Sequence, residues 1–377
     1  MTSQQPILLN ITATLIEDID QLSLEWRELE NHSGGHSFFL SWYWIGSWLR
    51  SLPASVSPLV LRFCTDSKTV GLAILVHGTT PILKILSLSQ ISLNTTGDSG
   101  LDNITIEYNG FLAASSLEDA VTRAGLEWLL QGGAPNQSIQ LSGIDARLTE
   151  IAISLASAYG RQVKHANIVP APYVDLAAIR DGSEDYLSHL SRNSRQLLRR
   201  ALRYYEIMGP IEYHSATSQD EALVLFDALE TAHQIYWRRR GQPGAFANPF
   251  FKHFHTELIK AAFADGHIEM AQVSAGGHPI GYLYNYVWGG TVYAYQSGFH
   301  YTNDKQAKPG YVSHYMAIIS ALTRGQNIYD FMAGDKQHKT SLSTGNKNLT
   351  WLQLRSPILS VRLETSIKSL LSMILNR

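Results

Sequence analysis

The chain has 377 residues, too many for one ordinary core at roughly 100–200 residues per domain, and its 45% apolar content can furnish two. Charged residues are only 16%, and 30 Lys+Arg against 32 Asp+Glu leave a formal charge of −2, which argues against a chain-wide basic surface for nucleic acid and against a disordered acidic chain. One cysteine, Cys64, excludes an internal disulfide framework and a Cys-rich zinc site, so a reducing, cytoplasmic setting is the expectation.

No targeting segment is expected, because the first twenty residues lack a basic start and Asn10, Thr12 and Thr14 interrupt their apolar run. No stretch approaches the roughly 20 apolar residues of a membrane span. A strand-like run (Ile7–Leu15) precedes an amphipathic helix pattern through Leu22, Trp26 and Leu29 and an aromatic helical stretch over Phe38–Leu49. Leu59–Phe63, Thr69–Val76 and Ile82–Leu88 read as strands. Leu117–Leu130 reads as a helix, Ile139–Leu141 as a short strand and Leu148–Tyr159 as a further helix. Cys64 lies in an apolar strand run, where a buried thiol is the simpler expectation than a nucleophile. Pro170-Ala-Pro172 then breaks regular structure, and the boundary is placed there, giving domains 1–168 and 169–377.

The second half is patterned more strongly. Leu187–Tyr205, Asp220–Arg240 and Phe250–Ala264 read as helices, and Ile268–Ser274, Ile280–Val287 and Val292–Ser297 as strands. Gly276-Gly277 and Gly289-Gly290 supply the positive φ of tight hairpins, so the three strands form a meander. A helix opened by Pro309-Gly310 runs to Leu322, and Ile328–Phe331 is a last strand. The first half repeats this order faintly, which points to an internal duplication. Leu359–Leu375 carries the apolar spacing of a docked helix, with a membrane-surface helix as the alternative.

Four constellations carry chemistry. The helix start at Gly310, beside Lys305 and Lys308, suits an anion, or Pro-Gly is simply a helix-start signal. Asp330-Phe-Met-Ala-Gly334, with Lys339 five residues on, places an acid at a strand end, where it can orient an amine or take its proton. Lys339 can hold phosphate or a developing oxyanion; the plain alternative is a loop cap and a solvated charge. His233, Trp237 and Arg240, spaced by four and three, share a helix face and form either a substrate pocket or a packed Trp between surface charges. Arg192, Arg195, Arg199 and Arg203 form a cationic stripe, with Arg200 beside it, that can grip phosphates or be a solvated face. His253 and His255, with Glu257, have poor geometry for a metal because residues two apart on a helix point apart, and no metal site is expected.

These residues resemble a known family. Pro172-Tyr-Val-Asp-Leu176, Asp185-Tyr-Leu, Leu190-Ser-Arg-Asn and Arg195-Gln-Leu-Leu-Arg-Arg200 are similar to the start of the BioF2-like (CelD/BcsL-type) acetyltransferase domain. So are His233-x-x-x-Trp237-x-x-Arg-Gly241 with Phe246, the hairpin ending at Gly281, Tyr295-x-Ser-Gly-Phe299, Pro309-Gly310, and Asp330-Phe-x-x-Gly334 with Lys339. The family ends similarly in Tyr-Lys, where this chain has His338-Lys339. The resemblance covers about residues 172–345, and it places the chain in the GNAT (Gcn5-related N-acyltransferase) superfamily, beside the FemABX peptidyltransferases.

The resemblance implies an α/β (α+β mixed) fold: tandem GNAT-like domains, each a mixed, largely antiparallel sheet flanked by helices. It implies direct acyl transfer, acetyl foremost, from an acyl-CoA thioester to a small-molecule or glycan amine, such as an amino sugar of envelope or exopolysaccharide metabolism, with no covalent enzyme intermediate. Under it, Lys339, Asp330 and His233 are the catalytic candidates. Trp237, Arg240, Tyr295, Ser297, Phe299 and Gly334 bind substrate, and Lys308, Gly310 and Tyr311 bind CoA. The usual Gln/Arg-x-x-Gly-x-Gly/Ala of CoA-binding GNATs is absent. An aminoacyl-tRNA-dependent FemABX-like transferase is the alternative, disfavoured by the near-neutral charge, and a non-catalytic GNAT-fold binding protein is a third.

Overall fold

The structure is a computed structural model and describes residues 8–66, 68–83, 86–133 and 137–356. The expected C-terminal helix over Leu359–Leu375 lies outside the described residues. Chain contacts divide the protein into two compact units: the described residues of Met1–Ile168 with Leu349–Arg377, and Val169–Asn348. None of the helices among the described residues is long and apolar enough to cross a membrane.

Unit 1 runs β1 (Asn10–Leu15), α1 (Ile19–His32), α2 (Trp42–Ser51), β2 (Leu59–Thr65), β3 (Lys68–Leu83), β4 (Leu86–Leu93), β5 (Leu112–Ala113), α3 (Glu118–Trp128), β6 (Ser138–Ile144) and α4 (Ala146–Ala158). Asp18 caps α1 by accepting from the amides of Asp20 and Gln21, and Leu22, Trp26 and Leu29 are its buried stripe. Ser41 splits the expected helix over Phe38–Leu49: a 3₁₀ turn (Phe38–Leu40) precedes it, and its hydroxyl caps α2. β1, β2, β3 and β4 pair antiparallel in turn, while β4 pairs β6 in parallel. Cys64 on β2 is half-buried, its Sγ 4.0 Å from the Thr69 hydroxyl.

Unit 2 is bounded by β7 (Gln162–Asp175), which crosses the division. It continues with α5 (Leu176–Asp181), α6 (Arg192–Glu206), β8 (Ile211–Ser215), α7 (Gln219–Arg238), α8 (Pro249–Ala262), β9 (Ile268–Ala275), β10 (His278–Trp288), β11 (Thr291–Phe299), α9 (Pro309–Thr323), β12 (Ile328–Asp330) and α10 (Gln337–Leu342). β8, β9, β10 and β11 form an antiparallel meander; β11 pairs β12 in parallel, and β12 pairs β7 antiparallel. Both Gly-Gly pairs take positive φ at each residue (+56° and +77°, +55° and +78°), as two-residue hairpins require. The same sequence of pairings therefore occurs in each unit: antiparallel hairpins, a helix, then a strand added in parallel. Each unit is a mixed sheet flanked by helices, with its own apolar core.

Three further expectations change. Pro170-Ala-Pro172 does not break structure but lies within β7, because this segment needs only carbonyls there: Phe331 N–H donates to Pro172 O (2.9 Å) and Gly334 N–H to Pro170 O (2.8 Å). The helix expected over Leu187–Tyr205 is a 3₁₀ turn (Tyr186–His189) followed by α6, capped by the Ser191 hydroxyl. β8 and a final strand, β13 (Gly345–Arg355), are additional; from Thr350 to Leu354 β13 pairs with β6, which joins these residues to unit 1.

Candidate functional site

The site is laid out by the point at which two neighbouring strands part. β11 and β12 pair over only three residues, Thr291–Tyr293 against Ile328–Asp330, yet β11 continues to Phe299. A register shift against β10 puts Tyr284 opposite Gln296 and Asn285 opposite Ala294, leaving Tyr295 as the extra residue of a bulge. The bulge turns the Tyr295 hydroxyl onto His255 Nε2 (3.1 Å), and the other ring nitrogen of His255 faces the Tyr284 hydroxyl (3.4 Å). Burial holds His255 well below the usual histidine range, so it is a neutral link between two tyrosines. His253 is exposed, on another face of α8. Beyond the bulge the Ser297 amide donates to the Gln296 side-chain oxygen (3.0 Å).

Helix α9 approaches the opened strand. Gly310 lies against the Phe299 ring, where a Cβ would stand 3.2 Å from it. Lys308 occupies the cap position without a side-chain cap; Pro309 carries no N–H and the Tyr311 and Val312 amides donate to Lys308 O (3.0 and 3.2 Å), which leaves the Gly310 amide at the helix start. A cleft of about 340 Å³ is lined there by Asn193, Gln196, Leu197 and Arg200 of α6 with Lys305, Gln306 and Lys308. Three cations beside a helix N-terminus suit a phosphate-bearing ligand. Arg200 lies outside the predicted stripe of Arg192, Arg195, Arg199 and Arg203; of those, Arg195 donates to Ser188 O (3.0 Å) and the others are exposed. Tyr311 points into the core, its hydroxyl donating to Ser341 Oγ (3.3 Å).

The turn after β12 forms a compact polar unit. Asp330, 1% exposed, accepts from the Met332 amide (2.7 Å), and Met332 is held at φ +63°. The Lys339 ammonium ties down the same turn by donating to Met332 O (3.2 Å) and Ala333 O (2.9 Å). Gly334, at φ +142°, leaves room for it: a Cβ would stand 3.1 Å from Nζ. His338, in place of the family's tyrosine, packs on the buried His314 of α9, whose Nδ1 meets the Tyr329 hydroxyl at 2.8 Å.

Helix α7 supplies the remaining wall. Gly298 lets α7 lie directly on β11, because a Cβ there would run into Leu229 O and stand 3.1 Å from Ala232 Cβ. His233 follows, buried among Gln234, Trp237 and Phe246; burial first, and the Lys336 charge after it, bring its pKa down to about 4. Trp237 receives Lys336 Nζ 5.5 Å from its ring centroid, and the exposed Arg240 lies 3.7 Å over Tyr236. The structure thus brings His233 and Trp237 to the turn that holds Asp330, Gly334 and Lys339. His314, packed on Phe331 and His338, and Lys336, over Trp237, join them unannounced by the sequence reading.

Unit 1 repeats the parting of strands but fills it. β4 and β6 pair over Gln90–Ser92 and Ser138–Gln140, and beyond that point the chain inserts its own residues 109 and 110. Asn109 N–H donates to Gly143 O (3.1 Å) and its side chain to Leu93 O (2.9 Å), while Asn94 Nδ2 donates to Asn109 Oδ1 and Gly110 O (2.8 Å each). Asn94 and Asn109 are both buried.

Residues 192–340 match the family described as Acetyltransferase (GNAT) domain. Unit 2 carries a GNAT acetyltransferase domain. The fold is similar to that of a solved FemX, with a TM-score of 0.54 at 12% identity over 86% of this chain and 95% of that one. It is also similar to the C-terminal domain of a putative lysylphosphatidylglycerol synthetase from Agrobacterium fabrum (TM-score 0.53, 8% identity, 93% and 95% covered). An L-PGS from Bacillus licheniformis gives 0.50 at 10% identity, with 94% and 97% covered. No curated protein matches the chain. Among the described residues no group of three or more His, Cys, Asp or Glu is placed to hold a metal ion.

Proposed function

We propose that the GNAT domain transfers an acyl group, acetyl foremost, from a CoA thioester to an amine, with an amino sugar of envelope or exopolysaccharide metabolism as the acceptor class and the cytoplasm as the setting. The observation that carries this reading is the parted end of β11 and β12 beside an uncapped α9 whose mouth is lined by Arg200, Lys305 and Lys308. In this reading the CoA diphosphate takes the Gly310 amide at the positive end of α9 and those three cations, and the acyl arm runs along β11.

The chemistry needs few groups. The amine nitrogen forms a bond to the thioester carbonyl carbon, the carbon–sulfur bond breaks, and the proton lost by the amine ends on the thiol. The Ser297 amide now donates to the Gln296 side chain, and when that side chain swings away the N–H is left to the carbonyl oxygen as charge develops there. Lys339 adds positive charge at the same turn. His233, neutral at pH 7, is the group that accepts the amine proton, whereas Asp330 is committed to holding Met332.

Calorimetric titration of the full chain with acetyl-CoA tests the donor. Saturable binding is expected, and Arg200→Ala with Lys308→Ala weakens it about tenfold, the scale of one or two charge-assisted hydrogen bonds. No binding of any CoA thioester sinks the donor assignment; salt-sensitive binding of charged tRNA in its place would transfer the role to an aminoacyl donor.

A further inference from the structure

We propose that the acceptor is an amine that also carries an oxyanion, carboxylate or phosphate, seated between Arg240 and Lys336 over the rings of Tyr236 and Trp237. The proposal deepens the transferase reading and rests on it for the word acceptor; the binding geometry stands on its own observations.

Two cations meet at this edge of the site, and among the described residues neither has a carboxylate partner. Arg240 sits 3.7 Å over Tyr236 and Lys336 5.5 Å over Trp237, and those neighbouring rings are 5.5 Å apart at 88°. Tyr301, 43% exposed, extends the aromatic floor 4.8 Å from Tyr236. The nearby acids are engaged elsewhere. Glu230 and Asp227 bind Lys252 (2.6 and 3.0 Å), Asp330 holds Met332, and Asp304 accepts from the Gln306 amide (2.8 Å). The exposed Asp335, next to Lys336 in the chain, offsets part of their charge. Lys336 is exposed over part of its surface, yet partial loss of water at its ammonium, and after it the charge of Arg240, push it below its ordinary range.

A simpler account explains half of this. Arg240 lies just past the C-terminal end of α7, where a cation is favoured by the helix dipole, and its Nη1 is 3.4 Å from Tyr236 O. That account gives no reason for Lys336 to be brought over Trp237 from a different element. An oxyanion supplies the reason: a guanidinium fork and an ammonium would bind it from two sides, and the rings shield it from water. A substrate gripped there extends naturally toward His233, one helical turn back on α7 and 6.0 Å from Trp237, ring to ring.

Pairs of amines that differ in one group test this: glucosamine 6-phosphate against glucosamine, and β-alanine against β-alaninamide. Titration into the full chain should show the charged member binding at least tenfold tighter, with the difference shrinking as salt rises. In Arg240→Gln with Lys336→Gln the preference should fall to near unity while acetyl-CoA affinity stays as in the wild type. Charged members that bind no better than neutral ones, or a preference that survives the double substitution, overturns the proposal. If charged amines bind with the stated preference but acetyl-CoA does not bind at all, the donor assignment fails and the oxyanion site stands.

Discussion

The imidazole of His338 lies flat on that of His314, with centroids 5.2 Å apart and planes inclined by 13°. Two charged rings would not be held so. Burial, and then Lys336 and Lys339, bring His338 down to about 4; burial, then His338 and the same lysines, drives His314 well below its usual range. Folded pKa values below the unfolded value of about 6.5 mean that the unfolded chain binds more protons. The stabilising contribution of these rings is therefore complete above about pH 6.5 and is lost as pH falls toward 4. Denaturant midpoints at pH 7.5, 5.5 and 4.5 should decline in that order, and His338→Gln should make the decline shallower. Equal slopes in wild type and variant show that the stack does not depend on neutrality.

Lys339 does two things at once: it caps two carbonyls of the Met332–Ala333 turn and places charge beside the site. Lys339→Ala should lower kcat by about 10² to 10³, the scale of losing one charge-stabilising donor, with acetyl-CoA affinity little changed. Lys339→Arg keeps the charge but presents a planar fork, so an intermediate rate is expected. Turnover at the wild-type level in Lys339→Ala removes this residue from the chemistry and favours a GNAT-fold protein that only binds.

Much of the second unit was legible because its signals are local. The Gly276-Gly277 and Gly289-Gly290 hairpins, the Pro309 helix start and the short Ile328–Asp330 strand follow from backbone preferences of the residues themselves. What stayed hidden depends on partners distant in sequence. Pro170 and Pro172 read as breakers, since nothing local says that β7 asks them only for carbonyls. Lys336 reads as one more surface charge until Trp237, about a hundred residues earlier, is placed under it. Arg200 reads as outside the stripe because it belongs to a neighbouring face of α6, with Asn193, Gln196 and Leu197, and nothing local says that the loop carrying Lys305, Gln306 and Lys308 meets that face. Tyr311 sits in a sequence position suited to the α9 mouth, yet side chains at successive helix positions point about 100° apart, and its own turns inward to Ser341.

Gly298 sets the distance between α7 and β11, and hence where His233 stands. In Gly298→Ala the added methyl group meets Leu229 O and Ala232 Cβ, and its site is also within 3.2 Å of the His233 amide nitrogen. The helix has to move, at a cost of about 1–3 kcal/mol. A melting temperature lowered by several degrees is expected, with about 2–4 °C per kcal/mol in a unit of this size. A variant that melts with the wild type means that α7 yields without strain, and His233 is then held by Phe246 and Trp237 alone.

The plug in unit 1 predicts how many donors one chain can bind. Where β11 and β12 part in unit 2, substrate backbone can enter; where β4 and β6 part, Asn109 already spans Leu93 and Gly143, and Asn94 closes over it. Gly143, at φ +63°, has Ile106 O so near that not even a methyl group fits. An acyl arm would have to displace these buried hydrogen bonds, each costly to leave unmade. Titration should therefore give one acetyl-CoA per chain. Asn109→Ala leaves Leu93 O without this side-chain donor and Asn94 Nδ2 short of one acceptor, so unit 1 should lose about 1–3 kcal/mol. The stoichiometry should remain one, because removing the amide does not remove the chain that occupies the gap. Two donors per wild-type chain would show that the segment swings aside and that the first unit is a second site; an increase to two only in Asn109→Ala would make Asn109 the lock.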